Sequence, residues 1–281
     1  MDRVIRIRAY AKINWSLNIL GVRPDGYHEL DMLMQSIGLY DELEFRLSSA
    51  LTVTMDGEPA DERNLVTRAA LALRSETGTE NGAQIRLTKH IPARAGLGGG
   101  SADCAAALLA LNDLWGLHLP IETLYRLALG LGADVPFCLF GGMKLVRGIG
   151  EKLTPVPEAP LFHAALVTPG GGLSTGPVFR GWDEGGYGIP EIDMKALADA
   201  LKRRDLKAAQ ALSFNALEAP AARLMPEIGD IMERFRSLGA PFTRMTGSGS
   251  TVFAAFDAES EAKKAAEKVP GAVYAPILGK K

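Results

Sequence analysis

The sequence predicts an α+β fold of two domains, and three observations support this prediction. Residues 5–19 carry an apolar side chain at every odd position, which is the period of a β-strand with one buried face. A glycine-rich run at residues 96–100 leads into a segment rich in alanine and leucine, which indicates a loop followed by a buried helix. A proline-rich stretch at residues 154–160 marks a boundary, so we expect domains at residues 1–158 and 159–281.

The composition is that of an ordinary globular protein. The chain has 281 residues, of which 47% are apolar and 23% charged, and its net charge is −2, so we expect no nucleic-acid surface. No segment approaches the ~20 consecutive apolar residues of a membrane span, and the N-terminus lacks the apolar core of a signal peptide. Cys104 and Cys138 lie among apolar residues and are predicted to be reduced core thiols. These features predict a cytoplasmic protein and leave its oligomeric state open.

The N-terminal strand ends in a turn that carries polar and aromatic residues. Lys12 and Asn14 alternate with the apolar positions, so both are predicted to project from the face of the strand that is turned away from the core. A Pro-Asp-Gly sequence at residues 24–26 is a strong turn signal, because each of these residue types favours turn geometry. Tyr27 and His28 stand at the exit of that turn, where both can form hydrogen bonds.

The remaining elements follow from the same periodicities and from capping residues. Asn64 is predicted to cap a helix that Gly78 closes, and Asp134 lies between the end of a helix and a predicted strand at residues 137–140. Small residues near Gly247 predict a tight hairpin between two strands. Further strands are predicted at residues 41–47, 51–55, 84–89, 163–167 and 272–277, with a hairpin at 141–150. Further helices are predicted at residues 102–112, 121–131, 194–204, 206–212, 227–238 and 260–269.

The glycine run suggests an anion site. Glycine adopts positive φ angles and lets backbone N–H groups approach a ligand closely, and such a loop at a helix N-terminus favours negative charge. A P-loop is excluded because no lysine follows the glycines. A dinucleotide fingerprint needs glycine where Ser101 stands. The strand predicted at residues 84–89 nevertheless keeps a variant of the dinucleotide loop open.

Three stretches together resemble the signature regions of the GHMP small-molecule kinases. They are Ala11-Lys-Ile-Asn14 with Asp25-Gly-Tyr-His28, residues 92–102 with Gly132-Ala-Asp-Val-Pro136, and Thr246-Gly-Ser-Gly249. They occur in the order that the family has and span nearly the whole chain. The first pair is the most specific, and it is similar to the branch of the family whose acceptor is a CDP-linked alcohol.

The resemblance implies a two-domain GHMP-kinase-like fold with the active site in the cleft between the domains and a ferredoxin-like C-terminal domain. It implies ATP as the phosphate donor and Mg²⁺ as the metal ion, with Lys12 and Asp134 in the catalytic positions and Ser101 as a candidate magnesium contact. The implied acceptor contacts are Asn14, Tyr27, His28, Thr175, Phe179, Gly247 and Ser248. The implied ATP loop consists of Pro92, Ala93, Arg94, Ala95, Gly96, Leu97, Gly98, Gly99, Gly100, Ser101 and Ala102.

The residue types suit this chemistry, but alternatives stay open. Phosphoryl transfer requires charge neutralisation and in-line positioning more than covalent chemistry. The resemblance implies that Asp134 accepts or orients the proton of the acceptor hydroxyl and that Lys12 stabilises the charge on the transferred group. Arg94 stands where the family usually has a small residue, and its role is left open. The rival functions are a GHMP kinase for homoserine, mevalonate or a sugar, and a nicotinamide-dependent oxidoreductase. A nucleotide sensor without activity is disfavoured because Lys12 and Asp134 are both present.

Overall fold

A computed structural model of the chain describes residues 3–279. The strands are β1 (Val4–Val22), β2 (His28–Ser48), β3 (Thr52–Met55), β4 (Glu58–Pro59), β5 (Gly82–Thr88), β6 (Met143–Gly148), β7 (Lys152–Pro155), β8 (Phe162–Val167), β9 (Phe242–Met245), β10 (Val252–Phe256) and β11 (Val273–Ile277). The helices are α1 (Leu65–Thr77), α2 (Gly99–Leu114), α3 (Ile121–Leu131), α4 (Val135–Phe140), α5 (Thr175–Glu184), α6 (Met194–Lys202), α7 (Leu206–Leu212), α8 (Glu218–Leu224), α9 (Glu227–Ser237) and α10 (Glu259–Lys268). None of the helices in this part of the chain is long and apolar enough to cross a membrane.

The described residues form two compact units whose segments alternate along the chain. The first unit holds the chain up to Ala11, Leu39–Ile91 and Gly98–Phe140. The second unit holds Lys12–Gly38, Pro92–Leu97 and the chain from Gly141 onward. Strands β1 and β2 and the glycine run each contribute residues to both units. The domain boundary that we expect after residue 158 stays a prediction.

The first unit combines a sheet with four helices. The second half of β2 pairs antiparallel with β5, and β5 pairs parallel with β3. Helix α2 packs against α1, α3 and α4. Both predicted caps of α1 are confirmed: the side chain of Asn64 accepts a hydrogen bond from Val66 N at 2.8 Å, and Gly78 ends the helix in the left-handed conformation. Most residues of α2 are buried, because the helix consists mainly of small and apolar side chains.

The second unit is built on an antiparallel sheet of order β11–β8–β10–β9. Helices α5 to α9 lie between β8 and β9 in the sequence, and α10 connects β10 to β11. This is the βαββαβ order of a ferredoxin-like sheet, with additional helices in the first connection. The hairpin predicted near Gly247 is confirmed, since β9 and β10 pair with Val252 opposite Met245. The predicted α+β fold class is likewise confirmed.

Two predicted elements are wrong. Residues 141–150, expected as a hairpin, hold the single strand β6, which pairs with β7 beyond that range. Residues 137–140, expected as a strand, lie in helix α4, in which every residue from Val135 to Leu139 is buried. A short apolar run between turn residues suits a buried strand and a buried helix equally well by periodicity. Pro136 stands at the second position of α4, where the first helical turn tolerates proline. Helix α8 was not predicted, and β2 begins at His28, earlier than the alternation indicated.

The polar face of β1 is buried as well as its apolar face. The apolar odd positions from Ala9 to Ile19 are at most 4% exposed. Lys12 is 4% exposed and Asn14 is 1% exposed, so both face the interior of the protein instead of solvent. A buried ammonium group requires polar partners, and this face of β1 is therefore a place where a functional site can form.

Candidate active site

The first part of the glycine run has a fixed backbone. Ala95 O accepts a hydrogen bond from Thr251 N at 3.2 Å. Gly96 has a φ of +73°, and a Cβ added to it would lie 2.2 Å from Thr246 O. Glycine is therefore required at position 96, because the φ angle is positive and because the β9–β10 loop leaves no space for a Cβ.

The last glycines of the run begin helix α2. Gly98 has a φ of +70° and its carbonyl accepts from Ala102 N at 2.9 Å. A Cβ on Gly99 would lie 2.9 Å from Ile91 Cγ2, so the first turn of α2 packs directly on the residue that follows β5. The first N–H groups of a helix lack acceptors within the helix and lie at the positive end of its dipole. This geometry suits the anion site that the sequence predicts.

A buried charged cluster supports the chain between β5 and the glycine run. Asp41 accepts hydrogen bonds from His90 N at 2.6 Å and Ile91 N at 2.8 Å, and it also accepts from Lys89 Nζ. Lys89 Nζ donates to Asp103 Oδ2 at 2.7 Å. Burial raises the pKa of Asp103 to about 7; Lys89 opposes this rise and the neighbouring Asp41 adds to it. The sequence analysis missed this cluster, for which one aspartate in an Ala- and Leu-rich helix was the only signal.

Replacing Asp103 with asparagine is expected to remove a loss of stability at high pH. The pKa of Asp103 is raised from 3.8 to about 7 in the folded protein, so the folded state keeps a proton that the unfolded state has lost. Stability therefore falls as the pH rises from about 4 through about 7, by on the order of 2–4 kcal/mol. Chemical denaturation at pH 5 and pH 8.5 should show this fall in the wild type and not in Asp103→Asn. Parallel pH profiles of stability for the two proteins would contradict the expectation. The control is Asp113→Asn, at an exposed position of α2, which should keep the wild-type fall in stability.

Three separate stretches of the sequence meet around Lys12. Lys12 Nζ donates a hydrogen bond to Asn14 Oδ1 at 2.8 Å, and Asn14 N donates to Thr246 Oγ1 at 2.9 Å. A Cβ on Gly247 would lie 3.0 Å from Gly96 O and 3.3 Å from Lys12 Nζ. The structure thus brings β1, the first part of the glycine run and the β9–β10 loop together around one buried ammonium group.

The β9–β10 loop is held by a residue that the sequence analysis did not identify. Asn215 Nδ2 donates to Met245 O at 2.8 Å and to Gly247 O at 2.9 Å. Next to Gly247, the Ser248 hydroxyl lies 3.0 Å from Thr175 Oγ1, so two of the predicted acceptor contacts lie together. Nothing in the spacing of the sequence distinguishes Asn215, because its role depends on a loop that is distant in the chain.

His28 lies in a cluster with residues of helix α5. His28 Nε2 is 2.7 Å from Asp183 Oδ1. The imidazole ring is centred 4.6 Å from the ring of Phe179 and 5.6 Å from that of Trp182. Trp182 and Asp183 were missed by the sequence analysis, because they share a face with Phe179 only in the helix, which was not predicted there. Tyr27, next to His28, is 60% exposed.

Asp134 and the last part of the glycine run belong to the first unit. Asp134 is half-buried and stands directly before α4, where its carbonyl oxygen accepts from Cys138 N at 3.2 Å. Helix α4 packs against α2, the helix that the glycine run begins. Asp134 and Gly98 to Ala102 are the predicted site residues of the first unit, and the second unit holds the others.

Two regions of the chain match known protein families. Residues 64–142 match the GHMP kinases N terminal domain, and residues 197–275 match the GHMP kinases C terminal family. With the α+β fold and the glycine run at the start of α2, these matches define the class: the chain belongs to the GHMP kinase family. The predicted resemblance is confirmed, and a nicotinamide-dependent oxidoreductase is excluded.

Within this family the chain is similar to particular kinases. The 4-diphosphocytidyl-2-C-methyl-D-erythritol kinase of Pelotomaculum thermopropionicum is 46% identical over 89% of this chain and 88% of that protein. The kinase of the same name from Desulfitobacterium hafniense is 41% identical over 93% of this chain and 90% of that protein. A crystal structure of 4-(cytidine 5'-diphospho)-2C-methyl-D-erythritol kinase matches with a TM-score of 0.85 and 36% identity, over 98% of this chain and 100% of that chain.

Proposed function

We propose that this kinase transfers the γ-phosphoryl group of ATP to the 2-hydroxyl group of 4-diphosphocytidyl-2-C-methyl-D-erythritol, a step of the non-mevalonate route to isoprenoid precursors. The observation that carries the proposal is the arrangement around Lys12, where a buried ammonium group bonded to Asn14 lies beside Gly96 and Gly247. The names of relatives 46% and 41% identical to the chain supply the acceptor. A cytoplasmic location stays a prediction from the composition.

The glycine run, together with the start of α2, is proposed to bind the phosphates of ATP. The first N–H groups of α2 and the helix dipole favour a polyphosphate. Gly98, with a φ of +70° directly before the helix, places no Cβ beside those groups. Mg²⁺ in kinases typically uses one or two protein ligands together with phosphate and water oxygens. The described residues contain no group of three or more His, Cys, Asp or Glu that could enclose a metal ion. The Ser101 hydroxyl, on the first turn of α2, fits such a phosphate-bound ion, which neutralises phosphate charge.

Lys12 and Asp134 are proposed to act on the transferred group and on the acceptor. The acceptor oxygen forms a bond to the γ-phosphorus, the bond from that phosphorus to the β–γ bridging oxygen breaks, and ADP leaves. Asp134 accepts or orients the proton of the attacking hydroxyl, and Lys12 stabilises negative charge on the transferred phosphoryl group. The hydrogen bond from Lys12 Nζ to Asn14 orients the ammonium group.

The cytosine ring is proposed to stack between Tyr27 and Phe179 while His28 contacts its polar edge. Stacking of a base on an aromatic side chain contributes roughly 1–3 kcal/mol. Binding energy gained far from the reacting hydroxyl can hold that hydroxyl in line with ATP, so shortened acceptors should lose turnover as well as affinity. Thr175 and Ser248, whose hydroxyl oxygens are 3.0 Å apart, are proposed to contact the acceptor together with Asn14 and Gly247.

A panel of acceptors tests the proposed function. The purified protein is assayed with ATP, Mg²⁺ and the CDP-linked alcohol, methylerythritol phosphate, homoserine, mevalonate or galactose. We expect kcat/KM for the CDP-linked alcohol to exceed that for every other acceptor by at least ~10²-fold, because a site built to bind polar groups rejects molecules that lack them. A higher efficiency on homoserine, mevalonate or the sugar would overturn the proposed acceptor and favour that member of the panel.

Arg94 is expected to contribute little to ATP binding. The residue is exposed, with a φ of +52°, and its carbonyl oxygen accepts from Leu173 N at 2.8 Å, so its backbone is fixed independently of its side chain. Arg94→Ala should change the KM for ATP by less than about threefold, because solvent and salt screen exposed charges. A tenfold rise in that KM would mean that the guanidinium group contacts phosphate directly.

A further inference from the structure

We propose that Asp183 is a positioning residue that fixes the tautomer of His28 and so selects an aminopyrimidine base in the acceptor. The inference rests on the proposed function, which supplies an acceptor with a cytosine base. It goes further in assigning the choice between cytosine and uracil to a carboxylate on helix α5. Asp183 is not proposed to touch the acceptor itself.

The hydrogen bond between the two side chains determines which nitrogen of His28 carries the proton. His28 Nε2 lies 2.7 Å from Asp183 Oδ1. An ionised carboxylate can only accept hydrogen bonds, so Nε2 must be the donor. In a neutral imidazole the other nitrogen then has no hydrogen. In the neutral form of His28, Asp183 therefore makes Nδ1 a hydrogen-bond acceptor.

The imidazole ring is also fixed in orientation. It is centred 4.6 Å from the Phe179 ring, with 41° between the ring planes, and the Trp182 ring packs against it edge to face at 5.6 Å. Only 14% of the His28 side chain is exposed. Within residues 3–279 the imidazole has a hydrogen bond at Nε2 and none at Nδ1. The ring thus presents one acceptor in a fixed direction, beside the aromatic residue on which the base is proposed to stack.

A single fixed acceptor distinguishes the two common pyrimidines. Cytosine carries an exocyclic amino group, which donates hydrogen bonds, where uracil carries a carbonyl group, which only accepts. Nδ1 of His28 can accept a hydrogen bond from the amino group of cytosine. Facing the carbonyl oxygen of uracil, it would form no hydrogen bond, and both acceptors would stay unpaired. The dyad of His28 and Asp183 therefore favours cytidine-linked over uridine-linked alcohols.

The tautomer can be measured directly by NMR. The chain has four histidines, at positions 28, 90, 118 and 163, so long-range ¹H–¹⁵N correlation spectra of histidine-labelled protein contain few signals, and His28→Gln identifies that of His28. We expect the wild type to show the Nε2–H tautomer of His28 and Asp183→Ala to show a mixture of both tautomers. A wild-type spectrum with the proton on Nδ1, or with protons on both nitrogens, would overturn the proposal.

Kinetic measurements test the consequence for the acceptor. Asp183→Ala should raise the KM for the CDP-linked alcohol about tenfold or more and reduce the preference for it over the UDP-linked analogue by a similar factor. The KM for ATP should change less than about twofold, because ATP is proposed to bind elsewhere. Asp183→Asn, whose amide oxygen can still accept from Nε2, should recover part of the preference. Glu184→Ala removes the same charge at the next, exposed residue of α5 and should retain wild-type values.

The outcomes separate this inference from the function on which it rests. A folded Asp183→Ala protein, verified by thermal denaturation, that keeps the wild-type KM and base preference would overturn the role of Asp183 and leave the kinase proposal standing. Loss of preference in Glu184→Ala as well would assign the effect to net charge and also overturn it. A wild-type protein that is inactive on the CDP-linked alcohol would overturn the proposed acceptor and with it the base selection.

Discussion

Asp134→Asn is expected to lower kcat by ~10²-fold or more, because a positioned general base typically contributes that much. Asparagine has nearly the same shape but cannot accept a proton. The side chain is half-buried directly before α4, whereas the backbone bond from Cys138 N to Asp134 O does not involve the carboxylate. Because asparagine keeps the size and shape of aspartate, folding and ATP binding should stay nearly unchanged. Steady-state kinetics, calorimetry and thermal denaturation measure the three properties separately.

The control for this prediction is Asp113→Asn. It makes the same chemical change in the same unit at a side chain that is 59% exposed, and it should keep wild-type turnover. Near wild-type kcat in Asp134→Asn would remove Asp134 from the mechanism. A loss of kcat accompanied by an equal loss of ATP affinity would instead assign Asp134 to nucleotide binding.

Gly98→Val is expected to abolish measurable ATP binding in a protein that still folds. Gly98 has a φ of +70° at the start of α2, a region that costs a residue with a Cβ roughly 1–2 kcal/mol and is least tolerated by β-branched side chains. The valine side chain would also block the approach of phosphate to the first N–H groups of the helix. Isothermal calorimetry with ATP measures the loss, and circular dichroism verifies the fold.

The matched control is Gly130→Val in helix α3. A Cβ at Gly130 would meet nothing within 4 Å, and the position has helical geometry, so valine should be tolerated and ATP binding retained. Unchanged ATP affinity in folded Gly98→Val would mean that the glycine run does not bind phosphate. Equal losses in both variants would mean that the effect is not specific to the run.

Local patterns predicted much of the fold from the sequence. The caps of α1 at Asn64 and Gly78 and the hairpin of β9 and β10 depend on residues close together in the chain, and the alternation in β1 is a strong signal of a buried face. The motifs at Lys12, the glycine run and Gly247 were recognised separately, and the structure brings them together.

Features that depend on distant contacts could not be predicted. Periodicity cannot assign α4, since its short apolar run has no repeat long enough to distinguish helix from strand. Asp103 meets Asp41 of β2 and Lys89, which follows β5, only in the folded protein, where burial raises the pKa of Asp103. The proposed role of Asp183 depends on its contact with His28, which is 155 residues earlier in the chain.

Mass spectrometry of the reaction product, followed by two-dimensional NMR that couples phosphorus to neighbouring protons and carbons, tests the central claim most directly. The wild-type protein is incubated with ATP, Mg²⁺ and 4-diphosphocytidyl-2-C-methyl-D-erythritol. We expect ADP and phosphorylated acceptor to form together, and we expect the additional phosphoryl group on the 2-hydroxyl of the acceptor. No phosphorylated acceptor under conditions in which ATP binds, or a phosphoryl group on another hydroxyl, would contradict the account.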